Sequence, residues 1–334
     1  MKILVLGGTV FLGRYIVQQA INRGHDVTVF NRGNHLVEFE QTAPVVVPVR
    51  RLIGNRDSDV RAIERFGCDA VIDCSGYTPE HLAQSISALA DSSRHYLFIS
   101  TISVYAQFPP SLGYDEAAAV TSETTGYGGQ KARAEELLLQ RLGDRATIVR
   151  PGLIVGPHDL SGRFAYWPLR LHRGGTILCP GRPQRNIQFI DVRDLAAWCI
   201  NLVERHTLGV FQAVGSSGTM AQMLEDCISA NFTQPLDVAH ETQRPRPSLV
   251  WRDDAQLLAA GVAPWVGLPL WIPESDPDFG GMLMGSNARA IAADFKSRSW
   301  VETARDTLQW ALSCPNPPVF PNVLSAEDEA MALR

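Results

Sequence analysis

Lys2-Ile-Leu-Val-Leu6, followed at once by Gly7-Gly8-Thr9-Val10-Phe11-Leu12-Gly13, is the stretch that decides the fold. Four consecutive large apolar side chains have the uniformity of a short strand buried on both faces. The glycines mark a tight turn. Leu12 to Arg23 then carries the period of an amphipathic helix, and Gly24 ends it. Asp26-Val-Thr-Val-Phe30 is a second strand. Strand, helix and strand within about 30 residues make a βαβ unit with a right-handed connection.

Outward from this unit the alternation continues. Ala43–Val49 is apolar and β-branched, Val60–Phe66 reads as helix, and Asp69–Asp73 as a buried strand. Pro79–Asp91 reads as helix, His95–Ser100 as strand, Thr124–Leu142 as helix and Ala146–Arg150 as strand. Such alternation predicts an α/β chain with a doubly wound (Rossmann) parallel sheet covered on both faces. After Pro151 the periodicity breaks up, and only Asn186–Ile190 with Asp191–Val203 returns to a strand and helix. The expected division is a dinucleotide-binding domain from 1–160 and 186–215. A smaller mixed substrate lobe follows from 161–185 and 216–314, with a loosely ordered tail from 315–334.

The 334 residues are 45% hydrophobic and 19% charged, an ordinary globular balance with room for two lobes. No apolar run approaches the roughly 18 residues of a membrane span. The few residues before the glycine turn do not make a signal peptide. A soluble, cytoplasmic protein without a membrane partner is expected. The net charge of −5 argues against nucleic acid, which favours a basic face. Cysteines at 68, 74, 179, 199, 227 and 314 show no paired spacing. They read as buried thiols, and neither metal nor disulfide is expected. Only three of the 30 basic residues are lysines: Lys2, Lys131 and Lys296. Arginine cannot replace a compact, titratable ammonium, so each lysine is a candidate for chemistry.

A glycine turn between a first strand and first helix is where a dinucleotide pyrophosphate binds. The helix N-terminus offers N–H groups and partial positive charge. Gly7 permits the turn, and Gly13 lets the helix approach the sheet. Gly7, Gly8, Thr9, Phe11, Leu12 and Gly13 are therefore cofactor-binding candidates. Val10 stands where the usual pattern has its central glycine, so Gly8 takes over the close approach or the loop is wider. NAD sites place a carboxylate at the end of the second strand. Here the chain reads Phe30-Asn31-Arg32-Gly33. Arg32, assisted by Arg14, is suited to fork onto a 2′-phosphate. NADP(H) is the expected cofactor, with NAD(H) as the alternative. Asn31 belongs to the same stretch, and Asn55 lies beyond the third strand, where an amide suits adenine.

Tyr127 and Lys131 are four apart and share one face of a helix. Hydride transfer at a carbinol carbon needs a proton moved at oxygen. A phenol has a reference pKa near 10, which a nearby ammonium and an oxidised nicotinamide both lower. A hydroxyl from a strand end should hold the substrate oxygen, and Ser100-Thr101-Ile102-Ser103 supplies candidates.

At this point the residues resemble a family. GGTVFLG at 7–13, STISVYA at 100–106, YGGQK at 127–131 running on through Glu135, and RPGLIVGP at 150–157 are similar to segments of the extended short-chain dehydrogenase/reductase family. That family includes NAD-dependent epimerases and dehydratases. FIDVRDLA at 189–196 resembles a fifth segment. The resemblance covers about the first 200 residues in order. It implies that Thr101, Tyr127 and Lys131 are catalytic. It places Pro151, Gly152, Leu153 and Ile154 beside the nicotinamide, and Ser75 and Gly76 near the cofactor ribose. Ser103 is the rival to Thr101, with helix or turn capping as its alternative role. The resemblance also implies a homodimer through helices 79–91 and 124–142.

Dehydratases of the family carry Asp-Glu after the threonine. Here Ile102 and Ser103 stand there, so dehydration is not expected. An NAD(P)-dependent reductase or dehydrogenase acting on a carbonyl/alcohol pair is favoured by Arg32. A nucleotide-sugar epimerase with tightly held NAD stays open. So does a non-catalytic role, because the glycine loop also resembles chloroplast members that bind RNA, and a cofactor sensor needs no turnover. In the second lobe, His158, Arg163, Tyr166, Trp167, Arg170 and Arg185 lie where the family places substrate contacts. Arg163 or Arg185 suits an anion and Trp167 a ring. The same residues also suit a helix with core aromatics and solvated arginines. The stretch from Trp251 to Trp271 reads as lobe packing.

Overall fold

A computed structural model of the chain describes residues 1–35, 37–39, 48–89, 92–232 and 245–334. The first half runs β1 (Lys2–Leu6), α1 (Phe11–Asn22), β2 (Asp26–Asn31), β3 (Arg50–Ile53), β4 (Cys68–Asp73), α2 (Pro79–Leu89), β5 (Ser93–Ile99), α3 (Gly126–Leu142) and β6 (Ala146–Pro151). Next come β7 (Ile154–Val155), α4 (Tyr166–Arg173), β8 (Thr176–Pro180), β9 (Asn186–Gln188), β10 (Ile190–Asp191), α5 (Val192–Glu204) and β11 (Gly209–Ala213). The chain ends with β12 (Ser217–Thr219), α6 (Met220–Phe232), β13 (Ser248–Arg252), α7 (Asp254–Ala259), α8 (Ala288–Ala292), α9 (Trp300–Ser313) and α10 (Ala326–Ala332).

Seven parallel strands form one sheet in the order β11-β6-β5-β4-β1-β2-β3. This is the doubly wound α/β fold that the alternation predicts. All six residues of β6 are buried, as are the last four of β1, because helices cover both faces. On one face Ile16 and Ala20 of α1 share a core with Leu195 and Cys199 of α5. On the other, Leu82 and Ile86 of α2 share one with Ala134 and Leu138 of α3. The strand order reverses between β1 and β4, and the crevice beyond their C-terminal ends is where open α/β sheets bind ligands.

The smaller lobe gathers α4, α6 and α9 around a core that includes Trp167, Leu171, Leu224 and Ala304. Its two-stranded sheets are mixed: β8 pairs parallel with β13, and β9 antiparallel with β12. Among the described residues, no helix is long and apolar enough to cross a membrane. The six cysteines are free thiols, four of them buried and Cys74 and Cys314 half-buried.

Three expectations are corrected. The third strand is Arg50–Ile53, past residues 48–49, the described part of the stretch at 43–49. It lies at the sheet edge, where Arg50 and Arg51 face solvent and no apolar run announces it. Residues 43–47 of the expected strand lie outside the described residues, as do 90–91 of the expected helix and 233–244 of the expected lobe. Residues 60–66 form one 3-10 turn, Arg61–Ile63, rather than a helix. The tail from 315 carries α10, capped by Ser325. Glu329 of α10 is 6% exposed. It accepts from Arg170 Nε at 2.8 Å and from the Leu178 N–H at 3.1 Å.

Candidate active site

The crevice at the switch point is a cavity of about 1020 Å³. Its floor is the glycine turn. Gly7 and Gly8 adopt φ of +105° and +83°, backbone that favours glycine. Gly7 N–H donates to the Phe30 carbonyl at 2.9 Å, tying the turn to β2. A Cβ on Gly8 would stand 2.9 Å from Val29 Cγ1, and one on Gly13 would stand 2.7 Å from the Gly8 nitrogen. Gly13 therefore admits the turn itself, rather than bringing the helix to the sheet. Val10 is half exposed and leaves α1 without a side-chain cap. The opening N–H groups of α1 thus border a cavity that Thr9, Phe11 and Leu12 also line. These features fit a dinucleotide pyrophosphate.

Asn31 bridges two segments, donating to the Gly7 carbonyl at 3.1 Å and accepting from Gly33 N–H at 2.8 Å. Arg32 beyond it is exposed and lines the cavity. Asn55 also lines it, and its side chain caps the following turn at Asp57 N–H. Ser75 lines the cavity, but Gly76 does not. A Cβ at Gly76 would meet Leu82 at 2.4 Å and Phe98 at 2.9 Å, so this glycine serves packing. Pro151, Gly152, Leu153 and Ile154 complete the first-lobe wall.

Thr101, Ser103, Tyr127 and Lys131 come together in the same cavity. Thr101 follows β5 in extended backbone. Its hydroxyl accepts from Ser103 N–H at 3.1 Å and donates to the Ser103 hydroxyl at 3.2 Å. Tyr127 and Lys131 stand one turn apart on α3. Two glycines bring that helix close. A Cβ on Gly128 would lie 2.1 Å from the Ser103 carbonyl oxygen, and one on Gly129 would lie 2.5 Å from that of Glu123. Lys131 is 2% exposed. Its Nζ donates to the Ile99 carbonyl at 2.7 Å and sits 4.6 Å from the Phe98 ring centroid. Burial disfavours the ammonium and pushes its pKa down to about 8, although Asp73 and Cys74 oppose the shift.

Tyr127 is half exposed in the cavity, yet burial around its hydroxyl raises the phenol above its ordinary pKa. Thr101 and Arg163 pull it back in part. The lowered phenol expected from the ammonium is not the resting state here. Lys131 Nζ lies 6.0 Å from the Tyr127 ring centroid and is held by the strand end.

A buried network that the sequence did not announce supports this wall. Arg56 grips Asp73 through two bonds of 2.8 and 2.7 Å, and the Tyr96 hydroxyl donates to the same carboxylate at 2.8 Å. Burial pushes Asp73 up, but the Arg56 charge and these bonds outweigh it and hold the carboxyl below its usual range. Asp73 also accepts from Ser75 N–H at 3.0 Å, fixing the turn after β4.

Of the expected substrate residues, Arg163 lines the cavity, its Nε donating to the Ser161 hydroxyl at 3.0 Å. His158, Trp167 and Arg185 do not. His158 hydrogen-bonds the Tyr15 hydroxyl at 2.9 Å and packs on Trp310. Trp167 is fully buried, with its indole N–H on the Pro269 carbonyl at 2.9 Å. Arg185 is buried beside a smaller cavity, bound to the Ile272 carbonyl and 3.6 Å from Asp254. Tyr166 is buried and Arg170 holds Glu329. The tryptophan stretch divides. Trp271 is buried in the lobe, as expected, while Trp265 lines the cavity. Ile272, Phe279 and Met282 join it there. Their stretch lacks periodicity, so no sequence signal pointed to them.

Residues 3–213 match the sequence pattern of the NAD dependent epimerase/dehydratase family. The chain is 28% identical over 253 residues to the chloroplast stem-loop binding protein of 41 kDa b of Arabidopsis thaliana, covering 72% of this chain and 65% of that protein. It is 28% identical over 178 residues to the 4-hydroxy-2-methyl-3-oxo-4-farnesyl-3,4-dihydroquinoline-1-oxide ketoreductase of Stigmatella aurantiaca, covering 48% of this chain and 52% of that protein. The match thus spans less than two thirds of either relative's length. Among solved structures, the Bordetella bronchiseptica enzyme WbmH in complex with NAD+ shares the fold with a TM-score of 0.67 at 15% identity, covering 93% of this chain and 98% of that one. The family pattern runs from β1 to the end of β11, well over half of the chain, and the protein belongs to the NAD dependent epimerase/dehydratase family.

Proposed function

We propose that the protein is an NADP(H)-dependent reductase or dehydrogenase acting on a carbonyl/alcohol pair. The observation that carries this reading is Tyr127, a cavity-lining phenol that stays protonated at neutral pH, beside Thr101 and one turn from a buried ammonium. Gly7, Gly8 and the start of α1 would hold a pyrophosphate. Arg32 would pair with a 2′-phosphate, in the stretch 30–33 that carries no carboxylate. The dinucleotide, when bound, supplies or accepts the hydride. The Thr101 hydroxyl orients the substrate oxygen, Tyr127 donates the proton to it, and Lys131 offsets the charge left on the phenol. Ile99 pins the ammonium in place through its carbonyl.

NADPH consumption across a panel of ketones and aldehydes tests this reading. Turnover is expected with the wild type. Tyr127→Phe should lose roughly 10²–10⁴-fold while still binding NADPH. Non-exchanging NAD retained through purification, with conversion of a nucleotide sugar, would favour the epimerase reading instead. The name of the Arabidopsis relative supports a third reading. Salt-dependent RNA binding without turnover would be its signature.

A further inference from the structure

The second lobe closes the cavity with Pro264, Trp265, Ile272, Asp276, Phe279 and Met282. Five of these six are apolar. Trp265 has φ of +64°, left-handed backbone that bulky residues seldom adopt and that clusters at ligand sites. The loop enforces it. Trp265 N–H donates to the Trp271 carbonyl at 2.6 Å, and Gly267 N–H to the Ala263 carbonyl at 2.8 Å. One side of Trp265 packs on the lobe core, and the rest borders the cavity. Phe279 is 50% exposed. It stacks on Phe108 at 6.4 Å between centroids and 27° between planes, and Phe108 packs in turn on Tyr105 and Tyr114.

Asp276 is the one polar member of these six. Its Oδ1 accepts from the Asp278 and Phe279 N–H groups at 3.0 and 2.9 Å. The carboxylate therefore fixes the turn that presents Phe279. The result is a preformed aromatic wall in the same cavity as Tyr127 and Thr101. Stacking on it favours a flat ring, and none of these six residues offers a cation to a diphosphate, while Arg163 on the same cavity already spends its Nε on the Ser161 hydroxyl.

We infer that the cavity takes an uncharged aromatic or conjugated ketone, its ring against Trp265 and Phe279 and its carbonyl at Tyr127 and Thr101, rather than a diphosphate-linked sugar. The chemistry rests on the reductase reading, whereas the binding does not. In reduction, Tyr127 would give a proton to the carbonyl oxygen while the bound reduced dinucleotide would supply the hydride to the carbonyl carbon, leaving a secondary alcohol and the oxidised dinucleotide. Tyr127 regains its proton from solvent.

The test is calorimetric titration of acetylnaphthalene, acetone and UDP-glucose into the full-length protein, with and without NADP+, followed by NADPH consumption with each. Acetylnaphthalene should bind at least tenfold tighter than either of the others. Trp265→Asn and Phe279→Ala should each weaken it tenfold or more. Asn adopts left-handed backbone readily, and circular dichroism would check that the variant folds. Tighter binding of UDP-glucose than of acetylnaphthalene, or wild-type ketone affinity in folded Trp265→Asn, would overturn the inference. Trp265-dependent binding without NADPH consumption would support the inference and defeat the reductase reading.

Discussion

Lys131 holds its charge where solvent cannot stabilise it. Its pKa falls from 10.5 to about 8. At 1.36 kcal/mol per unit, this sets a cost of ~3 kcal/mol on the ammonium at neutral pH. The folded pKa is below the unfolded one, so the unfolded chain binds more protons between pH 8 and 10.5. The cost is complete below about pH 8 and disappears as the pH rises toward 10.5. Lys131→Met should therefore stabilise the protein at pH 7 by up to ~3 kcal/mol in denaturant unfolding. That gain should shrink above pH 8, while turnover is lost. A destabilised variant at pH 7 would refute the cost. Wild-type reduction should also decline as the pH rises through about 8 and the ammonium is neutralised. A pH profile of kcat/KM reads this. The Tyr127–Lys131 pair was legible because spacing on a helix is local information. The roles of His158, Trp167 and Trp265 were not. Which side of an element faces a cavity depends on packing from distant segments, and Trp265 depends on a left-handed turn that composition does not mark.

Elements with uniform surroundings were the readable ones. β1, β4 and β6 are buried on both faces, so each carries an unbroken apolar run of two to four residues that stands out. β3 has one free edge and exposed arginines, and so was misplaced. α3 shows a subtler limit. Glycines inside a helix cost about 1 kcal/mol each relative to alanine, and sequence alone gives no reason for the pair at 128 and 129. The structure supplies one: the Ser103 and Glu123 carbonyls occupy the space of the missing side chains. Gly128→Ala should reverse the usual helix gain. It is expected to destabilise by ~1–3 kcal/mol through overpacking, and to lower kcat by moving Tyr127 away from Thr101 with little change in NADPH affinity. Thermal unfolding and steady-state kinetics on one preparation would separate these effects.

The molecule as a whole is a sheet that offers a crevice and a second lobe that closes it. The tail packs on the core of that second lobe. Its proline-rich start at 315–321 suggested a loose end, and one inward-facing carboxylate among several acidic neighbours has no local signature. Glu329 pairs with Arg170 at 2.8 Å with both side chains mostly buried. Removing one partner of a buried pair is costly, so Glu329→Ala should destabilise the protein by ~3 kcal/mol, read as a lowered Tm. An unchanged Tm would mean that α10 does not support the lobe. The proposed function has the crevice hold NADP(H) against Tyr127. Its most direct test is to purify the protein without added cofactor, identify any nucleotide released on denaturation by mass spectrometry, and titrate NADPH and NADH into the cofactor-free fraction. NADPH is expected to bind at least tenfold tighter than NADH, and Arg32→Ala to abolish that preference. Failure of both to bind would contradict the proposed function, and retained NAD with no preference for NADPH would contradict the role given to Arg32.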